Sequence, residues 1–241
     1  MTYDERASER LPGAFVWRAV SDGTPTRVLP DGCIDLLWDG DAITIAGPDT
    51  TAHVFDKPAG HVLHGLRFAP GWAPSTIGVP AAELRDQRIA LDAVWSGADV
   101  HRIVDRLTAT DDPGRELERV GAPPDDAALL DAIATRARRG DPIDDIARDV
   151  GFSARQLRRR CVDAFGYGPK LLARIFRMRR ALVLAEGGDP LATVAARSGY
   201  ADQPHLARDV KGLAGVPIGQ LLAGSAANRS TDAPSGSKTI A

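Results

Sequence analysis

The chain has 241 residues, of which 44% are apolar and 26% charged, so it holds enough core-forming residues for one large domain or two ordinary ones. No apolar run nears the ~20 residues that span a bilayer, the opening MTYDERASERLPG has charges where a signal peptide needs an apolar stretch, and Cys33 and Cys161 lack C-x-x-C spacing. Membrane and secreted classes, a disulfide framework and a cysteine zinc site are therefore set aside, and a reducing cytoplasm is expected.

The net charge of −2 hides an asymmetry. Residues 1–124 carry 12 Lys and Arg against 19 Asp and Glu, whereas residues 125–241 carry 18 against 13. An acidic half and a basic half suggest two modules, one of which meets a polyanion.

The first half reads as β. Strand-prone runs occur at 26–29, 33–38, 42–46, 52–55 and 62–68, punctuated by Gly, Pro and Asp turns. Such spacing favours an antiparallel meander, a sandwich or a small barrel. Asp39-Gly40 is the best hairpin turn. Short helical turns follow at 72–77 and 81–85. An amphipathic helix over 98–108 carries Val100, Ile103, Val104 and Leu107 on one face. The stretches 110–114 and 121–125 are linker-like, which places the domain boundary there. The remainder reads as all helix, beginning with 126–139. The tail from Gly224 lacks large apolar residues and reads as disordered.

Within the helical half lies a repeat. Asp141-Pro142-Ile143, Ile146-Ala147 and Gly151-Phe152 recur as Asp189-Pro190-Leu191, Val194-Ala195 and Gly199-Tyr200, at an offset of 48 residues. Each copy predicts a short helix with Asp as N-cap and Pro at the first position. A glycine turn and a second helix then follow. This is a helix-turn-helix unit, whose second helix reads the DNA major groove.

The second helix of the first copy, capped by Ser153, turns Leu157 and Cys161 inward and Arg155, Gln156, Arg158, Arg159 and Arg160 outward. Residues 153–180 hold nine Lys and Arg against one acidic residue, Asp163. So one-sided a run repels itself unless an anion faces it. Arg reads guanine bidentately and Gln reads adenine. The second copy offers Gln203, His205, Arg208 and Lys211, with Pro204 in the first turn. Residues 169–185 read as a connecting helix long enough, at ~1.5 Å per residue, to set two reading helices in successive grooves. Some of its arginines are candidates for structural pairs.

These features, from Ile146-Ala147 through Gly151-Phe152-Ser153, Phe165-Gly166-Tyr167-Gly168-Pro169 and Arg177-Met178-Arg179-Arg180-Ala181 to Gly199-Tyr200-Ala201-Asp202-Gln203, resemble the DNA-binding domain of the AraC/XylS family of bacterial transcription regulators. The resemblance covers about 126–222. It implies that Arg155, Gln156, Arg158, Arg159, Gln203, Pro204, His205 and Arg208 face DNA. Ser153, at the start of the first copy's second helix, and Lys211, on the outer face of the second copy's, are expected to join them. Pro204 departs from the usual polar residue there. The motifs Leu29-Pro30-Asp31-Gly32-Cys33, Ala46-Gly47-Pro48-Asp49 and Gly65-Leu66-Arg67-Phe68 resemble an N-terminal domain found ahead of this module in some actinobacterial-type regulators. Family regulators use that half to sense a small molecule or to dimerise.

The rival reading is a cupin-like, metal- or ligand-dependent enzyme with a helical appendage. His61 and His64, three apart on a strand, point to opposite faces. At most one of them joins His53, and no carboxylate completes a triad. Asp31 and Asp35 read as turn and strand-end residues, and Cys33 as a buried strand cysteine. Arg67 either faces outward or faces a barrel interior, where it needs an anionic partner such as a ligand carboxylate.

The expectation is an α+β chain of two domains. An antiparallel β domain (1–97, small barrel or sandwich, cupin-like) senses or dimerises. A helical linker (98–125) leads to an all-α DNA-binding domain (126–222) with two helix-turn-helix units joined by a long helix, then a tail (223–241). The protein is expected to be a cytoplasmic, non-enzymatic regulator without cofactor or metal. Its partners would be duplex DNA, a small-molecule effector (Arg67), RNA polymerase and a second copy of itself.

Overall fold

Residues 1–229 are described by the computed structural model. Asp35–Trp38 alternate in burial with a period of two, as half-buried strands do. The strands are β1 (Thr2–Ala7), β2 (Phe15–Val20), β3 (Thr26–Val28), β4 (Asp35–Trp38), β5 (Ile43–Ala46), β6 (His53–Phe55), β7 (Val62–Arg67) and β8 (Arg88–Ala90). Six form an antiparallel sheet in the order β1-β2-β7-β4-β5-β8, and β3 pairs with β6 as a separate ribbon. The sheet is open, with β1 and β8 as its edges. The Asp39-Gly40 turn joins β4 to β5 with Trp38 opposite Ile43, as the sequence predicts.

β1, β2 and β8 lie outside the predicted runs, and of these only β2, FVWRAV, holds an apolar run. β1 is TYDERA, half charged, and β8 is only three residues long. Neither shows an apolar run, and both are edge strands, where charge is tolerated and discourages further pairing.

Register decides what each face of the sheet holds. Val16, Leu36 and Leu66 face one way and are buried. Helix α3 (Pro113–Glu118) packs there against β2 and β7. Within the expected helical linker, 98–125, Leu117 is fully buried and Arg6 of β1 grips Glu118 through both guanidinium nitrogens, at 3.0 and 3.2 Å. Asp112 caps α3, and Pro113 costs it no donor. The other face carries Tyr3, Trp17, Asp35, Leu37, Leu63 and Arg67, beneath the β3–β6 ribbon. Gly65 makes that face possible: a Cβ there would lie 2.1 Å from the Trp17 ring, which rests flat on the strand backbone.

Helix α1 (Ala73–Ile77), a 3-10 turn (Ala81–Glu83) and α2 (Gly97–Thr108) precede α3. After it come α4 (Ala127–Arg139), α5 (Ile143–Asp149), α6 (Ala154–Phe165), α7 (Pro169–Glu186), α8 (Leu191–Ser198), α9 (Gln203–Ala214) and α10 (Ile218–Arg229). α10 therefore continues past residue 222, where the tail was expected to begin, and residues 230–241 lie outside the described residues. Among the described residues no helix is long and apolar enough to cross a membrane.

Pairs α5–α6 and α8–α9 are the two repeated units, with Gly151 and Gly199 at φ +72° and +80° in their turns. One feature of the repeat is corrected. Pro142 and Pro190 occupy the N-cap positions of α5 and α8. Asp141 instead pairs with Arg136 at 3.1 Å, and Asp189 pairs with Arg197. A proline N-cap fixes the chain direction without a side-chain acceptor, which leaves each aspartate to meet an arginine.

A continuous buried core runs from Leu11 and Val16 through Leu130 and Leu157 to Leu213 and Ile218, so the two halves pack as one body. Trp72 Nε1 donates to Asp131 of α4 at 2.9 Å, and Gly32 lies under the Phe176 ring of α7.

Candidate functional site

The two units present their second helices in the same manner. α6 starts with a reciprocal capping box: the Ser153 hydroxyl accepts from the Gln156 backbone N–H, and Gln156 Oε1 accepts from the Ser153 N–H at 2.8 Å. Leu157, Cys161, Ala164 and Phe165 form its buried stripe. Ser153, Arg155, Gln156, Arg158 and Arg159 are all exposed. Arg155, Arg158 and Arg159 make no ion pair among the described residues. Three cations stand on two turns of one helix. Arg160 differs, because it pairs with Asp126 at the start of α4. Gln156 has its carbonyl oxygen tied into the cap, which leaves only its amide N–H groups for a base edge.

In α9, Asp202 is the cap, its carboxylate accepting from the His205 N–H at 2.6 Å. Pro204 sits in the first turn, where no hydrogen bond is lost. Gln203, Pro204, Arg208 and Lys211 are exposed. His205 is half-buried. Its Nδ1 accepts from the Ala201 N–H at 3.4 Å and its ring stands edge-on to Tyr200, with centroids 5.2 Å apart. The ring is therefore folded back on its own turn, and its Nε2 edge is what remains for a partner.

The connecting helix α7 spends most of its charge internally. Arg174 and Arg177 converge on Asp209, which is 8% exposed, with Arg177 Nη2 at 3.3 Å. Tyr200 also donates to Asp209 at 3.1 Å, and the Arg177 guanidinium lies 4.4 Å from the centre of the Tyr200 ring. Burial pushes the Tyr200 phenol up to about 12, so it remains a donor at neutral pH. Arg180 donates to the carbonyls of Arg138 and Ser198, at 2.6 and 2.8 Å. The sequence reading missed Asp209. Its signal was a carboxylate beside the inward stripe Leu206, Val210 and Leu213 of an otherwise basic helix. In the first unit Arg160 occupies the equivalent place, 49 residues earlier, and it too pairs across to a neighbouring helix.

The β half grips α6 and α9 at their C-terminal ends. α6 ends at Gly166, φ +83°, where a Cβ would meet Pro48 at 2.5 Å, and Arg85 Nη1 donates to the Gly166 carbonyl at 3.4 Å. α9 ends at Gly215, and Arg27 of β3 donates to the Ala214 carbonyl at 3.0 Å. The Ala52 N–H donates to the Leu213 carbonyl at 2.7 Å. These are the orphan carbonyls and negative dipole ends of the two helices, which an arginine suits. The N-terminal turns, which carry the exposed arginines and glutamines, stay clear.

Beneath the β3–β6 ribbon lies a cavity of about 130 Å³. Aromatic and aliphatic groups of Tyr3, Trp17, Phe55, Leu37 and Leu63 form most of its wall. Arg67 lines it and does not face outward: its side chain is 12% exposed. Asp31 and Asp35 are 3.4 Å away and Glu5 3.7 Å. Its anionic partners are thus protein carboxylates. Asp35 is held by Trp17 Nε1 at 2.9 Å. Asp31 accepts from the Cys33 N–H at 2.9 Å, the turn role expected of it. Burial pushes the Cys33 thiol well up, so it is not a thiolate at neutral pH. The histidines are not gathered. His53 sits on the ribbon, His61 precedes β7, and His64 faces Trp38 with centroids 5.8 Å apart. Among the described residues no three His, Cys, Asp or Glu are placed to hold a metal ion.

Residues 146–224 match a family described as a helix-turn-helix domain, and residues 14–90 match a domain of unknown function, DUF6597. No curated protein matches the chain in sequence. Similar solved structures include an apo variant of ToxT from Vibrio cholerae strain SCE256, at 12% identity over 89% of this chain and 98% of that one, with a TM-score of 0.46. ToxT from Vibrio cholerae O395 is similar at 11% identity over 92% and 97%, with a TM-score of 0.43. The chain carries a helix-turn-helix domain over residues 146–224, preceded by a DUF6597 domain over residues 14–90.

Proposed function

We propose that the protein is a sequence-specific transcription regulator whose β half, residues 1–97, answers to a small molecule and whose helical half, residues 126–222, reads duplex DNA through α6 and α9. The residues between them, 98–125, dock the two. Ser153, Arg155, Gln156, Arg158 and Arg159 face DNA from α6. Gln203, Pro204, His205, Arg208 and Lys211 face it from α9. One observation carries this reading. Each reading helix is fastened at its C-terminus and bare at its N-terminus, and the bare turns of α6 hold three arginines with no carboxylate to neutralise them. α7 is 18 residues long, so at ~1.5 Å per residue it separates the units by up to about 27 Å. That lets one chain reach two successive grooves, ~34 Å apart per turn.

Selection of bound sequences from a random duplex pool, using the full chain, tests the reading. The expected product is a bipartite motif with centres about one helical turn apart and stronger information in the α6 half. A pool that returns unenriched overturns it. So does displacement of the bound pool by an acidic protein but not by duplex competitor.

A further inference from the structure

We infer that the cavity beneath the β3–β6 ribbon binds a small molecule with a cationic nitrogen head and an apolar, preferably aromatic, body. The head would lie against Asp31 and Asp35, and the body between Tyr3, Trp17 and Phe55. This rests on the regulator reading, whose effector it describes by chemical class.

Charge bookkeeping in the cavity carries the inference. Asp31, Asp35 and Asp49 line it, with the guanidiniums of Arg67 and Arg88 and the imidazole of His53. Arg88 is taken by Asp49, at 2.7 and 3.0 Å. Arg67 is left with Asp31 and Asp35, which are 22% and 17% exposed, so the site keeps a surplus of buried negative charge. A ligand anion would add to that surplus. A ligand cation removes it. The walls fit the apolar body of such a molecule, because Tyr3, Trp17 and Phe55 line the cavity and the Tyr3 and Trp17 rings stand with centroids 5.8 Å apart.

The surplus also has a chemical trace. Burial, with Asp31 beside it, pushes Asp35 up to about 6 despite Arg67 and the Trp17 N–H. Protonation there removes the charge that the head would meet. Ligand affinity should therefore fall as pH drops through about 6.

The cavity roof leads straight to the DNA-reading half. Thr26, Val28, His53 and Phe55 of the ribbon line it. The same ribbon bears Arg27, and Ala52 precedes β6, so the two groups that hold the end of α9 move with the roof. Occupancy of the cavity is thereby transmitted to the second reading helix.

Calorimetric titration of the full chain, without DNA, with benzylamine, phenethylamine and tryptamine tests the site. Phenethyl alcohol and hydrocinnamate serve as the neutral and anionic counterparts. At least one amine should bind about tenfold or more tighter than both counterparts. Asp31→Asn and Asp35→Asn keep the acceptors for Cys33 and Trp17, so each should lose about tenfold in amine affinity with little change in Tm. No amine binding, equal binding of the counterparts, or unchanged affinity in both variants overturns the inference. Failure here leaves duplex selection intact, so the two readings fail separately. For the transmission step, phenethylamine should shift duplex affinity in the unaltered chain and not in Arg27→Ala. An identical shift in both overturns it.

Discussion

Alanine at Arg155 or Arg159 relaxes the base preference of the α6 half-site by about 1–3 kcal/mol at a single position, and leaves the α9 half-site unchanged. Both side chains are exposed on the first two turns of α6, and neither is spent on a carboxylate. A free guanidinium at such a position supplies a bidentate contact to guanine, which no shorter side chain replaces. Gln156 marks the contrast. Its Oε1 closes the capping box, so Gln156→Ala should cost about 1 kcal/mol of helix stability and little base discrimination. Arg208 and Lys211 on α9 should act more uniformly, weakening all duplexes alike. Selection repeated with each variant reads these differences. An identical motif from Arg155→Ala, Arg159→Ala and the unaltered chain would show that α6 does not read bases through them.

Asp209→Ala lowers stability by about 2–4 kcal/mol and erases the α9 half-site. Removing one partner of a buried pair leaves its counterpart uncompensated, which costs ~3–5 kcal/mol where both are fully buried. Arg174 is 39% exposed and Arg177 29%, so water takes up part of that penalty. Tyr200 loses its acceptor in the same step. The expected result is a lower urea midpoint with an unchanged slope, because the same surface is exposed on unfolding. Asp209→Asn, which can still accept from Tyr200, should fall between. An unchanged midpoint in Asp209→Ala would mean that the α7 arginines are not held by this carboxylate.

The sequence showed the helical half better than the β half, for physical reasons. Gly151 with Phe152 and Gly199 with Tyr200 mark turns that need positive φ and a corner plug. A repeat of that kind is visible without any neighbour in space. The cap of α6 was equally local, since Ser153 and Gln156 are three residues apart. Asp141 and Asp189 looked like caps by the same local rule, but Arg136 and Arg197 claim them. The charge of 153–180 was legible as a total and not in its division. Only the fold shows that Arg160, Arg174, Arg177 and Arg180 face protein groups while Arg155, Arg158 and Arg159 do not. Arg67 was open for a related reason. A strand arginine can point either way, and which face is roofed depends on a ribbon that closes over the sheet from residues 26–28 and 53–55. β1 escaped notice because its stability comes from pairing to β2 and from Arg6 on Glu118, both non-local.

The salt dependence of duplex binding is the most direct measurement of the central claim, that the exposed faces of α6 and α9 meet the phosphates and base edges of DNA. Arg155, Arg158, Arg159, Arg208 and Lys211 are exposed and available. Each phosphate neutralised contributes ~0.9 to the log–log slope. The account predicts a slope of about −4 or steeper for the selected duplex, reduced by about 1 when Lys211 is changed to alanine. A slope near zero on the same duplex would contradict it.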